Sequence, residues 1–183
     1  LQPKVFVAEN VPSIADFNNR DIFGSLNEEI LGRDTILRRL YNCGYNINYK
    51  VLDASNFLVP QKRERLFIIG VRKDIGGSIP FPKKREGEIT VREAIQNIES
   101  QTRYFAPWEE IGEQEYQFMD DLKKIKEGES VRDIRDDGKG YTFFRLEYDK
   151  PSPTLTKRPQ KTVLHPDGDK FISLEEMKRI FSF

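Results

Sequence analysis

The chain has 183 residues, 37% of them hydrophobic, with 30 basic and 30 acidic side chains and a mean hydropathy of −0.64. That size suits one domain or two small ones. The neutral balance argues against a generic polyanion binder while leaving room for local basic patches. A single cysteine excludes an internal disulfide framework and fits a reducing cytosol. No apolar run approaches membrane-spanning length, and no signal peptide opens the chain, although Leu1 would be an unusual natural start.

Val5 to Val11 is a short apolar run that predicts a strand, and Pro12 ends it by holding its predecessor extended and removing a ladder donor. Glu9 and Asn10 then fall near the C-terminal edge of that strand, the edge that faces the ligand crevice in open α/β sheets. A strand-end Glu bathing in water is the plainer reading. Residues 17–32 suggest irregular chain or a short helix. Thr35 to Asn42 predicts a helix with Asp34 as N-cap and Gly44 as its stop. Cys43 sits at that helix end and is read as a packing residue.

Ile47 to Asp53 alternates and is rich in strand formers. Leu66 to Arg72, the most apolar run, predicts a central strand. Just before it stand Gln61, Arg63 and Arg65 at alternate positions, so an extended chain would gather two guanidiniums and an amide on one face. Arg presents a planar fork of donors suited to phosphate oxygens and base carbonyls. Such a cationic lip is either a dock for something anionic or an ordinary solvated charge cluster.

Composition shifts at Ile79-Pro80-Phe81-Pro82, and Lys83-Lys84-Arg85 completes a linker. Thr90 to Ile98 predicts a short helix. From Glu110 to Glu127 a charged helical pattern carries Tyr116, Met119, Leu122 and Ile125 at three-residue spacing, a core-facing stripe. Residues 136–140 read as a turn, 141–146 as a strand, and Pro151-Ser152-Pro153 as extended chain. His165, the sole histidine, precedes Pro166 and has no second His or Cys beside it, which favours a turn or packing role over metal ligation. Trp108 is likewise read as a packing anchor. Ser173 with Glu176 three residues on is a capping-box signature that opens a final helix.

Together these segments resemble the cytosine-5 DNA methyltransferase family. The resemblance is carried by Glu9-Asn10-Val11, by the run Arg33 to Tyr45, by Gln61, Arg63 and Arg65, by Lys150 to Thr156, by His165-Pro166 and by Ser173 to Phe183. These stand in order over nearly the whole chain. The resemblance implies an α/β fold, the distal part of a Rossmann-like methyltransferase sheet with an antiparallel strand, plus a small mixed target-recognition lobe. It implies that 1–80 is the distal part of the catalytic domain, 81–162 the target-recognition region, and 163–183 a return segment and helix toward the catalytic domain.

By the same resemblance Glu9 and Arg65 are the catalytic pair on a flipped-out cytosine, the carboxyl at N3 and the amino group and the guanidinium at O2. Asn10 would shape the turn that aims Glu9, and Gln61 and Arg63 would hold the pocket and backbone phosphate. Arg132, Arg135, Arg145, Lys157 and Arg158 are candidates for DNA contacts, each with a solvated surface charge as the plainer reading. No Pro-Cys-Gln nucleophile and no glycine-rich cofactor loop occur in the sequence. The thiolate and the main S-adenosylmethionine site are therefore expected outside this chain, and the chain alone is expected to be inactive. Expected partners are duplex DNA and the missing N-terminal catalytic portion, with no membrane and no metal, in a cytoplasmic, nucleoid-associated restriction-modification setting. A noncatalytic DNA-binding module, or one subunit of a split methyltransferase, is the rival expectation.

Overall fold

The computed structural model describes residues 2–15, 35–98, 119–135, 143–156, 162–168 and 170–182. The chain divides into two compact units, Leu1–Asp53 with Glu64–Lys84, and Ala54–Arg63 with Arg85–Phe183.

The first unit holds β1 (Val5–Asn10), α1 (Ile36–Asn42), β2 (Tyr45–Asp53) and β3 (Glu64–Arg72). β3 lies between the other two strands and runs antiparallel to both. Its sequence explains the central place: Leu66, Ile68, Ile69, Gly70 and Val71 are all buried, the unbroken apolar run of a strand covered on both faces. Phe6 of β1 stands directly opposite Gly70, where a methyl group would run into the Phe6 ring. Glycine thus lets the ring lie across the central strand, and the ring meets Tyr45 edge-on with centroids 5.1 Å apart.

α1 closes this face, packing Leu37 and Leu40 with Ile47, Tyr49, Leu66 and Ile68. Thr35 is its N-cap, the hydroxyl accepting the Arg38 N–H at 3.4 Å. The expected cap, Asp34, lies outside the described residues, as do the expected irregular residues 17–32. Gly44 stops the helix at φ +92°, a conformation that side-chain-bearing residues avoid. The pleat puts Val5, Val7 and Glu9 on the opposite face, with Arg65, Phe67, Ile69 and Val71 of β3.

The second unit holds α2 (Val91–Ile95), α3 (Met119–Lys124), α4 (Val131–Ile134), β4 (Phe144–Arg145), β5 (Val163–Leu164) and α5 (Leu174–Ile180). β4 and β5 pair in parallel, and single bridges join Ser130 to Phe144 and Leu164 to Phe171. One apolar cluster gathers Val91, Ile95, Leu146, Leu155, Ile172 and Ile180. The other gathers Leu122, Ile125, Val131, Phe143, Leu164 and Phe171.

Helices this short are marginal without caps and tertiary packing. Three of them open on the side chain of a residue three positions on reaching back to the N-cap N–H: Glu93 to Thr90, Asp133 to Ser130 and Glu176 to Ser173. The closing segment supplies Ile172 and Ile180 to this core, so it belongs to the second unit. The expected turn at 136–140 and Trp108 lie outside the described residues.

Candidate functional site

Glu9 stands opposite Phe67 in the β1–β3 register, and Arg65 is one step along the same face. The side chains meet, Arg65 Nε donating to Glu9 Oε1 at 2.8 Å. Arg65 Nη1 also donates to the Glu64 carbonyl at 2.6 Å, which fixes the plane of the fork. The Arg65 side chain is 20% exposed and that of Glu9 49%. The guanidinium is therefore backed by protein while a ligand can still reach the carboxylate. Asn10 Oδ1 accepts the Val11 N–H at 2.8 Å, satisfying the first amide beyond the strand as the chain turns into Pro12–Ala15. An ion pair this open contributes little to stability.

Gln61 and Arg63 belong to the second unit. The expectation that they share a strand face with Arg65 is corrected, because β3 starts only at Glu64. The physical reason is a tight turn: the Gln61 N–H donates to the Val59 carbonyl at 2.7 Å, and the peptides around it pair with Ser152 instead. Lys62 N–H donates to the Ser152 carbonyl at 2.8 Å, and Ser152 N–H to the Pro60 carbonyl at 2.9 Å. The Thr154 hydroxyl adds a bond to the Lys62 carbonyl at 2.6 Å.

Gln61 is 1% exposed, and among the described residues its Nε2 has no hydrogen-bond partner. A buried donor in that state awaits a water or a ligand. Sequence reasoning read Pro151-Ser152-Pro153 only as extended. Its signal for pairing was the alternation itself, since Pro153 falls where a parallel bridge needs no donor.

Of the expected DNA contacts, Arg132 is exposed on α4, and Arg135 pairs with Asp121 at 3.0 Å. Lys157 and Arg158 lie outside the described residues. Arg145 is a correction. It is 7% exposed, and its guanidinium donates to the carbonyls of Ile125 (2.6 Å), His165 (2.9 Å), Gly168 (2.6 Å) and Leu122 (3.3 Å). A cation so enclosed fastens three stretches of chain and does not face a phosphate.

His165 and Glu176 form a buried pair, 1% and 0% exposed, with Nε2 3.2 Å from Oε1. Burial by itself pushes the Glu176 carboxyl up; hydrogen bonds from the His165 ring and from the Ser173 N–H outweigh it and hold the group below the usual carboxylate range. Among the described residues no group of three His, Cys, Asp or Glu side chains could hold a metal ion. None of the described helices is long and apolar enough to cross a membrane.

The fold is that of an α/β methyltransferase. A solved structure described as a putative DNA modification methyltransferase encoded within a prophage (E. coli) superimposes with a TM-score of 0.63 at 21% identity, covering 98% of this chain and 59% of that one. The model of the family described as C-5 cytosine-specific DNA methylase matches residues 1–183, and the chain belongs to that family. Type II methyltransferase M1.HphI of Haemophilus parahaemolyticus is 32% identical over 193 residues, all of this chain and 48% of that protein. Type II methyltransferase M.Eco47II of Escherichia coli is 30% identical over 205 residues, again all of this chain and 46% of its own length. The chain thus spans about half the length of these curated relatives.

Proposed function

We propose that this chain is the base-holding portion of a DNA (cytosine-5-)-methyltransferase of the restriction-modification type, working on a cytosine turned out of duplex DNA. The observation that carries this reading is the Glu9–Arg65 contact at 2.8 Å on one face of the sheet. Attack at carbon 6 of cytosine moves electron density toward N3 and O2, which are neighbours on the ring. Stabilising both calls for an acid and a cation side by side. A carboxyl group there accepts from the exocyclic amino group and, when protonated, donates to N3, while the guanidinium donates to O2. A donor aimed at developing charge in such a site is worth about 3 kcal/mol, roughly a hundredfold in rate. The base must leave the helix to be reached.

Gln61 and Arg63 hold the pocket edge or the adjoining phosphate in this reading, and the exposed Arg132 is a DNA contact within the target-recognition region at 81–162. The methyl group comes from S-adenosylmethionine. In this reading the main site for that cofactor lies outside this chain, whose sequence carries no glycine-rich cofactor loop. In this reading this chain's share of the work is to hold the base and the DNA.

The test incubates duplex DNA and S-adenosylmethionine with the complete protein, and separately with residues 1–183 alone, and analyses the product nucleosides. 5-Methylcytosine from the complete protein and none from 1–183 alone is the expected result. No 5-methylcytosine from the complete protein refutes the reading, and robust methylation by 1–183 alone refutes the division of labour.

A further inference from the structure

Among the described residues three that are not glycine adopt a positive φ: Asn97, Ser182 and Leu58, the last at +63°. Asn visits this region readily and Ser is small. Leu is bulky and apolar, a type for which the left-handed conformation is costly. The local hydrogen bonds show how Leu58 is held there. Ala54–Phe57 forms one 3-10 turn, and the Val59 N–H reaches back to the Ala54 carbonyl at 3.4 Å. That wrap ends a helical turn on a left-handed residue, the place glycine usually takes. The Gln61 N–H then bends to the Val59 carbonyl, and the Lys62 N–H is tied to Ser152. Both ends of the loop are fastened, so the strain at Leu58 is imposed.

The usual compensation for such strain is burial, and Leu58 lacks it. It is 40% exposed and joins neither apolar cluster of the second unit. Phe57 and Val59 on either side are half-buried and Pro60 is buried. The charges around it are of one sign. Ala54–Arg63 contains no acid, and Lys62 stands exposed on it. Arg85, also exposed and of the same unit, donates its N–H to the Asn56 carbonyl at 2.8 Å. Glu86 and Glu88, exposed just beyond Arg85, confine the positive charge to the loop.

We propose that Leu58 is a DNA wedge, its side chain pressed into the base stack of the bound duplex while Lys62 and Arg85 pair with phosphates. Apolar side chains that part base steps work between cations that neutralise the neighbouring backbone. A held, strained loop suits this task, because the side chain is aimed before DNA arrives and no ordering cost falls on binding. Parting a step also lowers the cost of turning a base out. The inference rests on the base-holding reading above and adds the groups that open the duplex.

The experiment treats a long duplex with permanganate, which oxidises unstacked thymines, in the presence of the complete protein. Wild type and Leu58→Met should make thymines reactive. Leu58→Gly should lose that reactivity about tenfold, the worth of one apolar side chain leaving its contact. Its thermal midpoint should be no lower than wild type, because glycine suits the backbone. Lys62→Gln with Arg85→Gln should flatten the plot of log affinity against log salt by about two. Wild-type reactivity in Leu58→Gly, no reactivity with wild type, a lowered midpoint in Leu58→Gly, or an unchanged salt slope each overturns the proposal. Product nucleosides from the same samples separate the two readings. 5-Methylcytosine with no dependence of reactivity on Leu58 refutes the wedge alone. Leu58-dependent reactivity without 5-methylcytosine supports the wedge and refutes the methyl-transfer reading.

Discussion

Replacing Arg145 with Met tests whether this cation is structural. The substitution keeps a long side chain but withdraws donors from four carbonyls, those of Leu122, Ile125, His165 and Gly168. Leaving a buried acceptor unmet costs at least about 1 kcal/mol, which gives about 4 kcal/mol for the set. Removing a buried guanidinium also relieves its desolvation, which returns part of that. A net loss of about 3 kcal/mol is the working figure, a large share of the 5–15 kcal/mol typical of a domain.

Urea unfolding of the 183-residue chain, followed by circular dichroism, reads this directly. With a slope of about 1–3 kcal/mol per molar, the midpoint should fall by roughly 1–3 M. Arg132→Met, on an exposed side chain, should leave the midpoint in place. An Arg145→Met midpoint equal to wild type, with DNA affinity of the complete protein reduced, would refute the reasoning and restore Arg145 as a nucleic-acid contact.

Gly70→Ala should destabilise the first unit by about 1–3 kcal/mol through its clash with the Phe6 ring. Phe6→Leu in the same background should recover part of that loss in thermal denaturation, and no recovery would argue against the clash. Glu176 gives a pH prediction. Its carboxyl is held below the ordinary 4.5, so the stability it contributes is fully present above that pH and is lost as pH falls through the depressed value. The gap between wild-type and Glu176→Gln unfolding midpoints should therefore shrink on acidification; a gap that widens contradicts the assignment.

The strands were legible because they are apolar runs ended by clear signals, Pro12 after β1 and Gly44 before β2. α5 announced itself through Ser173 and Glu176, since a capping box is a local device; α2 opens on the same device, which the structure shows at Thr90 and Glu93. What stayed hidden depends on distant partners. α4 and β5 are a single turn and a two-residue bridge that exist because Phe143, Val131, Leu164 and Phe171 pack together, and no periodicity is long enough to reveal them. Arg145 reads as a surface charge until the carbonyls around it are known.

The contact of Glu9 with Arg65 follows from the β1–β3 register, which spacing alone does not specify; the ordered motifs suggested it. The Gln61–Arg63 segment shows the reverse case. Its alternation suggested strand, but a local turn at Val59–Gln61 and the pairing with Ser152 decided its path.

The account turns most directly on steady-state methylation by the complete protein carrying Glu9→Gln or Arg65→Ala, measured beside equilibrium DNA binding. The prediction is a loss of roughly a hundredfold in kcat for either variant with the DNA dissociation constant little changed. Wild-type kcat in both variants, or a loss wholly accounted for by weaker DNA binding, would contradict a shared role for these two side chains at the target base.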